Sequence, residues 1–144
     1  MVELNNDDLN FFSEFEKITR VMPTDYVPGE TLLIFLVSVA ELGKAIGKNG
    51  SNIQKLKDVF KRKVVIIGDM SDPELFVRGM FNNISILSVE VQNIMGDLAV
   101  VLTIDEKDRG IAIGKDGERI KAAKELLKRK FKATIHLKTR RSVI

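Results

Sequence analysis

The chain has 144 residues, 44% hydrophobic and 30% charged, with 23 Lys and Arg against 20 Asp and Glu for a net charge of +3. It has no cysteine and a single histidine, His136, which excludes disulfides, cysteine-ligated zinc and a histidine-built metal site. No apolar run is long enough to span a membrane, and the opening MVELNNDDLN is too acidic and polar for a secretory signal, so a cytoplasmic protein without membrane association is expected.

In chain order, apolar periodicity predicts an opening helix over about 7–17 and a strand over about 18–26, with Pro23 confining that strand to an edge or breaking it. Val27-Pro28-Gly29-Glu30 reads as a type II turn, proline second and glycine third. The run over 31–39 is rich in β-branched and bulky residues and reads as the strongest strand. A short helix over about 40–46, a glycine loop, a helix over about 51–62 and a strand over Val64–Ile67 complete the set. The same order follows again. A helix over about 73–83 has Asp72 to cap it and Pro73 at its first position; strands over about 85–93 and 98–104 come next. Helices over 107–113 and 118–130 flank a second glycine loop, and Thr134–Leu137 forms the last strand. Ile53, Leu56 and Phe60 share one helix face, as do Ile120, Ala123 and Leu127, and these faces are expected to pack on the sheets.

The two halves are copies. Residues 43–63, GKAIGKNGSNIQKLKDVFKRK, align without a gap on 110–130, GIAIGKDGERIKAAKELLKRK, with eleven of 21 positions identical. The register holds over about 60 residues per copy. Charge follows the repeat. Residues 43–63 hold seven basic residues against Asp58 alone, and 107–132 hold ten against four, whereas residues 1–30 are acidic. Local basic fields of this kind attract polyanions whatever the net charge.

The loops are not nucleotide-binding P-loops. Gly43 and Gly47 enclose three residues rather than four, and Lys48 is followed by Asn49 instead of the hydroxyl residue that would hold Mg²⁺; Gly110, Gly114, Lys115 and Asp116 depart in the same way. What the residues suit is a backbone grip. The glycines of Gly47-Lys48-Asn49-Gly50 and Gly114-Lys115-Asp116-Gly117 permit a sharp turn and let a sugar-phosphate chain lie close. Each turn opens a helix, whose free N–H groups and dipole favour an anion. Lys48 and Lys115 add charge, and Ile46 and Ile113 stand where an apolar groove for bases would begin.

The string I-G-K-x-G followed by x-x-I, at Ile46–Ile53 and again at Ile113–Ile120, resembles the signature of KH domains, whose G-x-x-G loop clamps a short stretch of RNA backbone. Two such units in so short a chain resemble the archaeal NusA-like transcription factors. The resemblance implies an α+β fold of two tandem type II KH domains, residues 1–69 and 70–144, each a three-stranded mixed sheet with three helices packed on one face. It also implies a factor in transcription elongation, termination or antitermination that binds single-stranded RNA, with RNA polymerase as a further partner. Bacterial relatives carry an additional polymerase-binding domain and an S1 domain, for which 144 residues leave no room, so polymerase contact is not implied through those parts.

The expected RNA contacts are Ile46, Gly47, Lys48, Asn49, Gly50 and Lys57 in the first unit. In the second they are Ile113, Gly114, Lys115, Asp116, Gly117, Lys121 and Lys124. Asp116 has two readings: it caps the following helix and faces away from RNA, or it weakens its site; the first loop is therefore expected to be the better phosphate contact. Lys61-Arg62-Lys63 and Lys128-Arg129-Lys130 recur and read as a phosphate track, which the tail from Lys138 to Arg141 either extends or leaves as a frayed basic end. His136 and Tyr26 read as strand-face residues. No nucleophile, metal cluster or carboxylate pair is arranged for catalysis, so neither an enzyme nor a cofactor or metal is expected, and the chain is expected to be a monomer. The competing expectation is a protein-interaction module that docks on RNA polymerase or a ribosomal assembly, with one or both RNA grooves silent.

Overall fold

The structure, a computed structural model, describes residues 6–141. The chain divides between Asp69 and Met70 into two compact units. In the first, α1 (Asn6–Thr19) is followed by β1 (Asp25–Pro28) and β2 (Leu32–Val37), then α2 (Leu42–Ile46), α3 (Ser51–Phe60) and β3 (Lys63–Gly68). The second repeats the order with α4 (Pro73–Met80), β4 (Ile86–Ile94), β5 (Asp97–Asp105), α5 (Arg109–Ile113), α6 (Glu118–Phe131) and β6 (Ala133–Arg140). Each unit has its own three-stranded mixed sheet, β1-β2-β3 or β4-β5-β6, in which the first two strands are antiparallel and the last two parallel. This is the α+β architecture that the resemblance implied.

The parallel pair dictates much of this layout, because parallel neighbours need a crossover, and here the crossover is the helix–loop–helix that carries the glycines. The central strand is buried throughout, and Leu32–Val37 is accordingly an unbroken apolar run. Leu33, Phe35 and Val37 face a core closed by Phe15 of α1, Ala45 of α2, Leu56 of α3 and Val64 and Ile66 of β3. Phe35 is its centre, with ring centroids 4.3 Å from Phe15, 5.8 Å from Tyr26 and 6.1 Å from Phe60. The second core is built from Phe76, Met80 and Phe81, with Leu102 and Ile104 of β5 and Leu126 of α6, all almost wholly buried. Asp72 caps α4 as its position suggested, accepting a hydrogen bond from the Leu75 amide at 3.0 Å, with Pro73 opening the helix.

Three expectations need correction. No strand runs over 18–26: α1 continues to Thr19, whose hydroxyl donates to the Phe15 carbonyl at 2.8 Å, and Arg20 turns left-handed at φ 63° before β1 begins at Asp25. Pro23 lies ahead of the ladder. Val27-Pro28-Gly29-Glu30 is not a type II turn either. Val27 and Pro28 belong to edge strand β1, and the Gly29 amide donates to the Leu32 carbonyl at 2.9 Å, so the chain reverses over Glu30 and Thr31. On α6 the core face is Arg119, Ala122, Ala123, Leu126 and Leu127, and Ile120 is only half-buried.

The units differ in the lengths of several elements, two of which shape the second unit's surface. Helix α6 has 14 residues against 10 in α3, one extra turn. Strand β4 has nine residues against four in β1, so the second hairpin is much longer and turns at Met95 (φ 54°) and Gly96 (φ 91°), with Met95 98% exposed at its tip.

Replacing Phe35 by Ala removes the ring on which the first core is built and should cost about 3–5 kcal/mol. Tyr26 is the sole tyrosine and the chain has no tryptophan, so urea unfolding followed by tyrosine fluorescence reads this unit alone and should show its midpoint falling sharply.

Candidate nucleic-acid interface

Each glycine loop begins where a two-step helix stops. A 3₁₀ turn, Val39–Glu41 or Glu106–Asp108, leads into the five-residue α2 or α5. The helix is ended by a glycine whose amide bonds back four residues, Gly47 to the Gly43 carbonyl and Gly114 to Gly110, both at 3.0 Å. The backbone then takes the same course in both units. Gly47 has φ 79°, ψ 165° and Gly114 φ 80°, ψ 172°. Asn49 and Asp116 are left-handed at φ 55° and 54°, and Gly50 and Gly117 follow at φ 73° and 74°. Asparagine and aspartate are the side chains that tolerate this region best, which accounts for their presence at the third loop position.

The two glycines of a loop do different work. A Cβ on Gly47 would meet Ser51 Oγ at 2.8 Å and the Asn52 amide carbon at 2.9 Å; one on Gly114 would meet the Arg119 Cβ at 2.9 Å and its backbone nitrogen at 3.0 Å. Gly50 faces open space, and Gly117 has only Lys121 within contact distance, so the left-handed backbone alone calls for glycine there. The first glycine therefore lets the loop lie against the helix that follows it, and the second lets that helix begin.

The loop amides are partly spent. Gly50 N–H donates to the Gly47 carbonyl and Gly117 N–H to the Gly114 carbonyl, each at 3.1 Å, while Ser51 and Glu118 bond back to Lys48 and Lys115. The amides of Lys48 and Asn49, and of Lys115 and Asp116, lie ahead of these bonds at the loop tip. Lys48, Asn49, Lys115 and Asp116 are all exposed. Asp116 does not cap α6: the N-cap is Gly117, without a side-chain bond, and Asp116 stays at the exposed tip. Ile46 and Ile113 are half-buried at the loop's edge.

Lys57, Lys121 and Lys124 are exposed on the helices that the loops open. Lys124, Lys128 and Lys132 follow one another at four-residue steps from α6 into its left-handed end. They border a groove of about 670 Å³ beside edge strand β6, where Ala133, Ile135 and His136 complete the wall. Lysine stems supply apolar wall while their ammonium groups reach water. His136 is an exposed residue on one face of β6, as a strand-face residue should be.

Other members of the recurrent basic clusters are engaged within their own units. Arg62 lies over the Phe11 ring at 5.3 Å and donates to the Gly29 carbonyl at 3.1 Å. Arg129 pairs with Glu125 at 2.6 Å, and Lys130 lies over the rings of Phe76 and Phe131. The tail is no frayed end, since β6 runs to Arg140 and Arg141 reaches Glu106 at 3.3 Å.

Arg119 was not legible as special. It stands two residues after Gly117 and is only 5% exposed, its guanidinium donating to the Met80 carbonyl at 2.8 Å and Asn83 Oδ1 at 2.5 Å and lying over the Phe81 ring at 5.1 Å. Burial pulls its pKa below the ordinary arginine value. The one signal was the repeat itself, in which the corresponding residue is the short Asn52. Among the described residues no cluster of three or more His, Asp or Glu side chains could hold a metal ion, and no helix is long and apolar enough to cross a membrane.

Comparison with known proteins identifies the family. Residues 73–143 match the KH domain family, as do residues 32–93, a stretch that runs from β2 into β4. The chain is 32% identical to a protein of Methanocaldococcus jannaschii named probable transcription termination protein NusA, over 92% of this chain and 73% of that one. It is 30% identical to a protein of the same name from Halobacterium salinarum, over 90% and 93% of the two chains. The crystal structure of APE1850 is similar with a TM-score of 0.69 and 32% identity, covering 95% of this chain and all of that one.

The steric difference between the glycines is measurable. Gly114→Ala should lose about 3 kcal/mol or more, and Gly117→Ala, with backbone strain only, about 1–2 kcal/mol. Urea denaturation of the two variants, followed through the second unit's amide signals, checks the order.

Proposed function

Since the chain belongs to the archaeal NusA-like proteins built of tandem KH domains, we propose that it is a non-enzymatic RNA-binding factor of transcription that grips single-stranded RNA through its two G-x-x-G loops. The observation that carries this reading is the repetition of one strained backbone. The same left-handed path at Asn49 and Asp116 sets an exposed lysine beside a glycine-flanked helix start at the same place in each unit. Phosphates sit at the loop tips, on the N–H groups of the second and third loop residues and the ammonium groups of Lys48 and Lys115. Bases lie along Ile46 or Ile113 and, in the second unit, in the groove between α6 and β6. Lys57, Lys121 and Lys124 follow the backbone away from the loops. Asp116 sets a negative charge at the second tip, so the first loop is the stronger phosphate contact.

In the full chain, Lys48→Asp combined with Asn49→Asp should weaken binding of a short oligouridylate about tenfold or more while the amide spectrum of the sheets is unchanged. Normal binding by that variant overturns the loop assignment. Affinity of the parent chain should fall with salt, log K against log salt having a slope of about −0.7 for each phosphate held, and duplex RNA should compete poorly.

One feature favours a second reading, docking on a protein such as RNA polymerase. The end of the β4–β5 hairpin exposes Val91, Ile94 and Met95, and no Lys or Arg occurs from Ile86 to Glu106. Co-purification of the polymerase after nuclease treatment, lost on Ile94→Asp with Met95→Asp, supports that reading; loss on nuclease treatment alone refutes it.

A further inference from the structure

The loops are alike in backbone but are held by different means. In the first unit, Asn52 Nδ2 donates to the Lys44 carbonyl at 3.1 Å, which ties the start of α3 to the adjacent α2. The residue at the same place in the second unit is Arg119, and its side chain runs elsewhere, to the carbonyl end of α4. That helix stops at Met80 after eight residues, where its first-unit counterpart continues for 14. A cation in the first turn of a helix is badly placed with respect to that helix's dipole, and burying it adds a desolvation cost. Three partners offset this at the other end: the Met80 carbonyl at the negative end of α4, the Asn83 side-chain oxygen, and the face of Phe81. The same residue presses directly on the loop, for its Cβ and backbone nitrogen are the atoms that leave Gly114 no room for a side chain.

We propose that Arg119 is the positioning residue of the second RNA grip, a buried strut that fixes the first turn of α6 and the Gly114–Gly117 loop against the end of α4. It does not touch RNA. It holds the loop amides in place before the strand arrives, so that binding does not have to order them. The inference rests on the RNA-binding reading of the second loop. It makes the two grips mechanically distinct, the first braced within its helix–loop–helix and the second braced on its unit's opening helix.

The test uses the full chain with Lys48→Asp and Asn49→Asp, which leaves the second loop as the remaining grip, and a short oligouridylate as probe. Arg119→Met keeps the apolar stem and removes the donors. It should weaken binding about tenfold and speed hydrogen exchange at the Gly117 and Glu118 amides, whose bonds to the Gly114 and Lys115 carbonyls close the loop, well below the unfolding temperature. Asn83→Ala, in an exposed turn, leaves the core intact and should produce a smaller loss of the same kind, about threefold; it decides the matter if Arg119→Met does not fold. Leu126→Ala destabilises the core without touching the strut and should leave affinity and loop exchange unchanged. Unchanged binding in the Arg119 and Asn83 variants overturns the proposal, as does an equal loss of affinity in Leu126→Ala. In a parallel arm, Lys115→Asp on the same background should abolish the remaining binding. If it does not, the reading of the second loop fails, whatever the Arg119 variants do.

Discussion

There is no room for a side chain at Gly47 or Gly114. That steric constraint organises each unit more than any single attraction does. With the glycine bare, the loop lies close on the first turn of α3 or α6, its third residue takes left-handed backbone, and the following helix begins at the second glycine. A methyl group at that point would lift the loop from the helix. The parallel strand pair then sets the position of the whole device, because the helix–loop–helix is the crossover between β2 and β3, or between β5 and β6. Stiff sheet, crossover and exposed tip form one mechanical chain.

Much of this was legible beforehand, because the informative features are local. A glycine before an exposed Lys-Asn or Lys-Asp pair, the continuous apolar run of Leu32–Val37 and the Asp72-Pro73 helix opening each carry their structural meaning within a few residues. The duplication doubled every such signal. The failures have a common cause, which is that tertiary contacts decided the outcome. Ile18 and Thr19 have strand-like propensity, but α1 keeps them because its inner face continues onto the core and the Thr19 hydroxyl closes back on Phe15. The turn after β1 moved by two residues because Pro28 fits an edge strand, where its missing N–H faces no partner.

Charged residues were the least legible class. In the sequence Arg62, Lys128, Arg129 and Lys130 are one kind of residue; in the fold, Arg62 and Lys130 lie on aromatic rings, Arg129 is paired with a carboxylate, and Lys128 borders a groove. Arg119 is the extreme case, a cation that serves the interior. Periodicity marks which face of a helix is apolar, but it does not say that a long cationic side chain will cross to another helix's carbonyl end.

The hairpin between β4 and β5 has a consequence of a different kind. Its outer half, from Val91 to Asp97, is exposed throughout, and it reverses at a residue pair already in left-handed backbone. Nothing in the core depends on how far that arm reaches. The chain can therefore be lengthened, tagged or given a fluorophore at Met95 with the second unit's core undisturbed, and a spectroscopic reporter placed there would follow whatever approaches that hairpin.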